Sequence, residues 1–105
     1  MGKETKTESE IQKEITDYLK SIGCLVFRMN SGKTQHNVTL CPNGTPDLLV
    51  ITKTGYTIWI EVKTETGKLR VSQVEMIANL HERKQDICIA RSVESVVERF
   101  KYIIK

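Results

Sequence analysis

The chain has few cysteines, no long apolar run, no internal repeat and no low-complexity linker. Its three cysteines, Cys24, Cys41 and Cys88, are far apart and form no C-x-x-C pair, which argues against a zinc site or a disulfide framework. No apolar stretch is long enough to span a membrane, and the N-terminus lacks the apolar core of a signal peptide. These absences predict a cytoplasmic protein with reduced thiols and no membrane partner.

The composition that remains is that of an ordinary small globular domain. The 105 residues suffice for one domain with a modest core, which we assign to residues 1–105 with 1–6 frayed. Charged residues make up 28% and hydrophobic residues 39% of the chain, as in a typical soluble domain. The formal net charge of +3 is compatible with a nucleic-acid partner without requiring one.

Two apolar runs in the middle of the chain, Leu48–Ile51 and Ile58–Lys63, are short, rich in β-branched residues and separated by a glycine turn. This pattern predicts two strands of a β-hairpin. The first run is apolar on both faces, which predicts a central strand covered above and below. The second run alternates, so that Glu61 and Lys63 share one otherwise apolar face.

The charges on this hairpin need partners, because burying a charge is costly unless it is paired or bound to a metal. Asp47 opens the first strand, and a hairpin would bring it near Glu61 and Lys63. Two carboxylates form a hard oxygen site suited to Mg2+ or Mn2+, and a lysine beside them can orient water and stabilise charge on a phosphate. The alternative is an ordinary hairpin with a surface Glu-Lys pair. The upstream Pro46-Asp47 step favours the metal site, because both halves must match together.

A helix is predicted before the hairpin. Thr7 and Glu10 have the spacing of a capping box, and apolar residues recur at helical spacing over Ile11–Ile22. Gly23 is a suitable C-terminal stop. If Glu10 folds back to cap the helix, Glu8 in the first turn is freer to point elsewhere. The alternative is that both acids are solvated and serve the helix dipole.

The remaining segments complete an α/β pattern. Cys24–Met29 and Asp86–Arg91 predict further strands. Ser72, with Glu75 as its capping-box partner, predicts the start of a second helix, and Ser92 predicts the start of a third. The predicted order is α-β-β-β-α-β-α, which suits a mixed β-sheet flanked by helices.

Several motifs in this framework resemble those of known nucleases. The G-x-P-D sequence at 44–47, followed by a strand and by E-V-K at 61–63, resembles the PD-(D/E)XK nuclease superfamily. The longer stretch E-V-K-T-E-T-G-K-L at 61–69, with Gln73 just beyond, resembles the VRR-Nuc family, whose small stand-alone members are common in phage genomes. The resemblance covers nearly the whole chain and implies a restriction-endonuclease-like fold.

The resemblance also implies a metal site on the hairpin. Asp47, Glu61 and the backbone carbonyl of Val62 would hold Mg2+ or Mn2+. Lys63 would position the attacking water and help to offset the charge of the phosphate. We expect no small-molecule cofactor.

Two further site residues would come from the helices. The family carries an active-site glutamate on its first helix, three residues before a core isoleucine. Glu8 stands in that relation to Ile11, so we favour Glu8 as a contributor to the metal site, directly or through water, with Glu10 as the fallback. Gln73 would lie at the edge of the active site and orient the lysine or a phosphate. The alternative for Gln73 is a solvated amide near a helix start.

Polar and basic residues around this site are candidates for contact with DNA. Some lie in the stretch after the first strand, where the family has an Asn-rich, Gly-containing loop beside the active site. Others lie in the basic turn after the second strand of the hairpin, where phosphate contact competes with simple solvation. The candidates are Asn30, Lys33, Lys68 and Arg70, with Arg28 and His36 as weaker ones.

The implied function is that of a metal-dependent, structure-specific DNA endonuclease that cuts branched DNA, four-way (Holliday) junctions in particular. Two symmetric cuts need two active sites, and a chain this short offers one, which predicts a homodimer. One alternative is a nicking or flap nuclease without junction specificity. The other is a nucleic-acid-binding module without catalysis.

Overall fold

The computed structural model describes residues 5–29 and 41–104, and these form an α/β fold in the predicted order α-β-β-β-α-β-α. Candidates Asn30, Lys33 and His36 lie outside the described residues. The elements are α1 (Glu8–Ser21), β1 (Leu25–Arg28), β2 (Leu48–Ile51), β3 (Thr57–Val62), α2 (Val71–Glu82), β4 (Asp86–Ala90) and α3 (Val93–Phe100).

The four strands form a mixed sheet with the spatial order β1-β2-β3-β4. The first three strands are antiparallel neighbours, whereas β4 runs parallel to β3. A parallel neighbour needs a crossover connection, and α2 supplies it. As a result β3 has a strand on each side, and the end of β3 at Val62 lies beside the end of β4 at Ala90.

The predicted capping box of α1 is present. The Thr7 hydroxyl accepts a hydrogen bond from the Glu10 backbone N–H (3.1 Å), and the Glu10 carboxylate accepts one from the Thr7 N–H (3.0 Å). Every fourth side chain over Ile11–Leu19 is buried, as the helical spacing predicts. The helix ends just before Gly23, whose φ of +91° favours glycine.

The core lies between one face of the sheet and the helices α1 and α3, which also contact each other. Burying an aliphatic or phenyl side chain of this kind contributes about 1.5–3 kcal/mol relative to leaving it exposed. In the described part of the chain, no helix has the length and apolarity needed to cross a membrane. The largest fully buried apolar side chains include Ile15, Leu19, Leu48, Val50, Ile58, Ile60, Val62, Val96 and Phe100.

The opposite face of the sheet is more open than predicted, and the expectation that β2 is covered on both faces is wrong. Two of the four β2 residues are fully buried, whereas Leu49 and Ile51 are only half-buried. On the adjacent β1, Leu25 is 59% exposed and Phe27 is 46% exposed. The physical reason within the described residues is that α2 packs against β4 at the edge of the sheet and does not contact β1 or β2.

The predicted start of α2 is also wrong, because the helix begins at Val71 with Arg70 as its N-cap, not at Ser72. The backbone N–H of Arg70 donates to Oε1 of Gln73 at 2.8 Å, so Gln73 takes the part in the helix start that was expected of Glu75. Gln73 falls in the first turn, as expected. Ser92 does cap α3, since its hydroxyl accepts from the Ser95 N–H at 3.2 Å.

Candidate active site

The β2–β3 hairpin brings Asp47 and Glu61 together. Asp47 immediately precedes β2, and the pairing of Leu48 with Ile60 places Asp47 opposite Glu61. The carboxylate of Asp47 accepts a hydrogen bond from the Val62 backbone N–H at 2.7 Å, which fixes it against the end of β3. The carbonyl of Asp47 also accepts from the Met29 N–H at 2.8 Å, which ties the residue to β1. Asp47 is therefore held by backbone contacts on both sides.

Glu61 is an acid buried at the centre of this arrangement, with only 1% of its surface exposed. Its Oε2 accepts a hydrogen bond from Nε2 of Gln73 at 3.2 Å and lies 3.9 Å from Nζ of Lys63. Its Oε1 is also buried and has no hydrogen-bond partner. A buried carboxylate oxygen without a hydrogen-bond partner among the described residues is costly, which makes Oε1 a candidate ligand for a cation.

Burial, together with charge repulsion and hydrogen bonding from the neighbouring Asp47 carboxylate, raises the pKa of Glu61 from 4.5 to about 8. Lys63 acts in the opposite direction and lowers the pKa, while the charge of Glu8 adds a smaller increase. Two carboxyl groups in one buried place therefore cannot both ionise without a compensating cation. This is the electrostatic condition of a metal site.

The donor set fits a hard divalent ion such as Mg2+ or Mn2+. It offers the carboxylates of Asp47 and Glu61, including the unsatisfied Oε1, next to the backbone of Val62. In residues 5–29 and 41–104, no three acidic, histidine or cysteine side chains cluster closely enough to hold a metal ion by themselves. Backbone oxygen and water would have to complete the coordination, which is common for Mg2+.

Lys63 directly follows β3 and is 4% exposed. Its backbone N–H donates to the carbonyl of Ala90 at 3.0 Å, so the parallel strand β4 holds its main chain. A lysine this deeply buried is rare unless it is paired, and Glu61 is its partner here. The predicted convergence of Asp47, Glu61 and Lys63 is thus present in the folded chain.

A cavity of about 200 Å³ opens onto this pair of carboxylates. The N-terminal turn of α1 contributes Glu8 to its wall, whereas Glu10 is engaged in the helix cap. The first turn of α2 contributes Gln73. The complete lining is Glu8, Pro42, Asn43, Gly44, Thr45, Asp47, Glu61, Arg70, Ser72 and Gln73.

The positions of the two acids on α1 favour Glu8 over Glu10 as the site residue. Glu8 is exposed and lines the cavity, and its charge acts on Glu61. Hydrogen bonds from Thr7 lower the pKa of Glu10, because they stabilise its ionised form at the cap. Since Glu8 is not part of a close cluster with Asp47 and Glu61, a contact through water suits it better than direct coordination.

Sequence reasoning did not foresee that the loop at 42–45 would form a wall of the cavity. Gly44 has a φ of +88°, and a Cβ atom there would lie 2.1 Å from the carbonyl oxygen of Ser72. Only glycine allows this approach of the loop to the start of α2. The sequence signal for this close approach is the glycine of the G-x-P-D motif at 44–47.

Two of the candidate DNA contacts can be placed near the site. Arg70 lines the cavity, whereas Lys68 is exposed in the preceding turn and does not. Arg28 lies in a separate groove of about 340 Å³ with Ser9 and Gln12 of α1. This groove is larger but lacks a carboxylate pair, so we assign the chemistry to the smaller cavity.

A hairpin that joins a Pro-Asp step to a Glu-x-Lys strand, set in a mixed sheet between helices, is the arrangement of a PD-(D/E)XK-type nuclease. The sequence profile of the VRR-NUC domain matches residues 26–94, and the chain belongs to this nuclease family. A solved structure described as a VRR_NUC domain is similar, with a TM-score of 0.72, 23% sequence identity, and coverage of 93% of this chain and 99% of that one. At this identity the similarity shows the shared fold. A search of curated proteins returns no match.

Proposed function

We propose that this domain is a divalent-metal-dependent endonuclease that hydrolyses phosphodiester bonds in branched DNA and acts as a homodimer. The observation that supports it best is the buried pair of Asp47 and Glu61, with its unsatisfied oxygen and its adjacent lysine. A structural ion pair would not need the second acid. The family accounts for a nuclease acting on DNA; the metal, the branch preference and the dimer are the proposed parts.

In the proposed mechanism, Asp47 and Glu61 would hold Mg2+ or Mn2+, with the Val62 carbonyl as a further ligand. Such an ion would supply polarisation of the phosphate and a lowered pKa of water. Lys63 would orient the attacking water from its buried position and offset the negative charge that develops on the phosphate. Gln73 donates a hydrogen bond to Oε2 of Glu61, which leaves Oε1 as the oxygen that would bind the ion.

Basic residues in and near the cavity wall would bind the DNA backbone next to the hairpin. Arg70 stands in the cavity wall, and its guanidinium suits bidentate contact with a phosphate. Lys68 is exposed in the turn before Arg70, and Glu8 lines the same cavity, where it would act through water. No base-reading motif is visible in the sequence, so a sequence preference is not part of the proposal.

The homodimer part of the proposal rests on the open sheet face. Leu25, Phe27 and Ile89 expose 59%, 46% and 38% of their surface, and they alternate with residues that point into the core. We propose that a second copy of the chain covers this face, because paired cuts across a junction need two sites. Phe27→Lys should then yield a monomer by sedimentation analysis, while Tyr102→Lys, at a residue exposed elsewhere, should not.

The proposal is tested by cleavage of labelled four-way junctions, flaps and linear duplex with Mg2+, with Mn2+ and with EDTA. We expect paired, metal-dependent cuts near the branch and no cleavage by Lys63→Ala. Lys101→Ala is the matched control, since Lys101 pairs with Glu98 on the surface. Circular dichroism of each variant separates loss of chemistry from loss of fold.

Other outcomes distinguish the alternatives. Equal cutting of linear duplex would retain the nuclease and remove the branch preference, and cutting of flaps alone would favour the flap nuclease. Tight junction binding without cleavage under any metal would favour a binding module. Cleavage that persists in EDTA would exclude the metal site at Asp47 and Glu61.

A further inference from the structure

Arg91, which directly follows β4, makes contacts that the mechanism above does not use. Its Nη1 donates to the backbone carbonyls of Thr64 (2.6 Å) and Gly67 (2.8 Å), with Glu65 further away at 3.3 Å. Three carbonyl oxygens of one turn thus converge on one guanidinium nitrogen. The Arg91 backbone is itself held, since its N–H donates to the Ser95 hydroxyl at 3.3 Å.

The turn that Arg91 contacts connects the two halves of the candidate site. It begins directly after Lys63 and leads to Arg70 and the first turn of α2, where Gln73 bonds Glu61. Its own closure is a single backbone hydrogen bond, from the Gly67 N–H to the Thr64 carbonyl at 3.2 Å. A turn closed by one long hydrogen bond has little rigidity without external contacts.

The turn also lies beside the side chain of Lys63. If Gly67 carried a Cβ atom, that atom would lie 3.6 Å from Cδ of Lys63 and 2.9 Å from Oγ1 of Thr64. The space next to the lysine side chain therefore depends on where the turn lies, and a shift of the turn would open or narrow it.

We propose that Arg91 is a positioning residue, which clamps the turn at 64–67 and thereby fixes the Lys63 ammonium and the approach of Gln73 to Glu61. The inference rests on the proposed nuclease function, because it assigns Arg91 a role in that site. Arg91 acts from behind the turn, through backbone carbonyls, and does not line the active-site cavity.

The choice of arginine matters for this role. All three contacts come from Nη1, whose two N–H groups are fixed in the plane of the delocalised guanidinium and cannot rotate away from the carbonyl oxygens. A lysine at the same position keeps the charge but is a point donor on a flexible stem. The clamp should therefore be lost in Arg91→Lys as well as in Arg91→Ala.

The test compares Arg91→Ala and Arg91→Lys with Arg83→Ala, whose Nη1 bonds only the main chain and side chain of Asn79 within its own helix region. We expect kcat on the preferred DNA to fall roughly 10- to 100-fold in both Arg91 variants, because small misplacements of catalytic groups have effects of this size. KM and DNA affinity should stay within roughly twofold, since no substrate contact is removed. Arg83→Ala should match the wild type.

Two further readouts separate positioning from general destabilisation. Millimolar guanidinium ion should restore part of kcat to Arg91→Ala, whereas equal urea should not. Amide hydrogen exchange at Gly67 should be faster in Arg91→Ala than in the wild type, since the clamp no longer supports its hydrogen bond to Thr64.

Each contrary outcome has a definite meaning. A raised KM with unchanged kcat would make Arg91 a phosphate contact, and unchanged kinetics or full activity of Arg91→Lys would overturn the clamp. If the wild type cleaves no DNA, the proposed function fails, but hydrogen exchange still decides the clamp. Unchanged exchange at Gly67 overturns it in either case.

Discussion

The first turns of α1 and α2 solve the same problem with different residues. At α1, the third helical residue, Glu10, accepts a hydrogen bond from the N–H of Thr7, and the Thr7 hydroxyl returns one. At α2, the third helical residue is Gln73, and it accepts from the N–H of Arg70 at 2.8 Å. Both side chains satisfy an otherwise unpaired N-terminal donor.

The difference lies in what the second atom of each side chain does. Glu10 is exposed and ends in a second oxygen, so it serves the cap alone. Gln73 is buried and ends in an amide nitrogen, which donates to Glu61 at 3.2 Å. At α1 the two roles are divided, since Glu10 caps the helix and Glu8 lines the cavity. At α2 a single residue, Gln73, both caps the helix and donates a hydrogen bond to Glu61.

Exchanging glutamate and glutamine at these two positions should lower cleavage most strongly at α2. Gln73→Glu keeps the oxygen that caps the helix, but it removes the donor to Glu61 and adds a third acid to a buried acidic pair. We expect cleavage to fall roughly 100-fold, in line with the loss of a residue that orients a metal ligand. Initial rates at saturating Mn2+ and calorimetric Mn2+ affinity measure it.

The reciprocal variant is its control. Glu10→Gln keeps the acceptor at α1, where no donor function is needed, so both cleavage and metal affinity should stay within roughly twofold. Loss of activity in this variant would show that the two helix starts are not separated in function as described.

The next prediction separates the role of Glu8 from that of Glu10 within α1. Glu8→Ala should lower cleavage roughly tenfold without lowering stability, because Glu8 lines the cavity and acts through water. Glu10→Ala should lower the thermal stability and leave kcat unchanged, because it removes half of the capping box. A fully active Glu8→Ala with an inactive Glu10→Ala would reverse our assignment.

The contributions of Glu61 and Glu10 to stability should also depend on pH in opposite ways. The pKa of Glu61 is raised to about 8 in the folded protein, so the stability linked to its neutral form is fully present below about pH 4.5 and is lost as the pH rises through 8. In EDTA, Tm should therefore fall between these values, and Glu61→Gln should flatten that fall. The pKa of Glu10 is lowered from 4.5, so its contribution to stability is fully present above about pH 4.5 and is lost as the pH falls below that value.

The smallest expected effect concerns the caps alone. Thr7→Ala removes a hydroxyl that caps α1 and should lower the free energy of unfolding by about 1 kcal/mol. Ser72→Ala should change it by less than about 0.5 kcal/mol, because Ser72 is not the cap of α2. Urea denaturation measures both. An equal loss in the two variants would support the original assignment of Ser72.

The element order and the central hairpin were predictable because their signals are local. Two β-branched runs joined by a glycine turn predict a hairpin. The alternation of aliphatic residues with Trp59, Glu61 and Lys63 then favours one register of that hairpin. The capping box of α1 is likewise read from Thr7 and Glu10 alone. The approach of Asp47 to Glu61 followed from that hairpin without any knowledge of the rest of the fold.

The remaining features depend on contacts between distant segments. The sequence near Ser72 favours a cap there, but the bond from Gln73 to Glu61 and the approach of Gly44 select an earlier helix start. The apolar run of β2 does not reveal that α2 settles over β4 and leaves one face open. The contacts of Arg91 with the turn at 64–67 depend on the parallel pairing of β4 with β3, which brings the ends of both strands together. No local sequence pattern predicts that pairing.

The hairpin that holds Asp47, Glu61 and Lys63 has a consequence for how the chain folds. Contacts between segments close in sequence form early, so we expect the two carboxylates to meet before Glu8 and Gln73 arrive from the helices. At neutral pH their repulsion then acts on the folding nucleus itself. If the proposed metal site exists, a divalent cation should accelerate refolding of this domain, and the ion would then take part in folding as well as in catalysis.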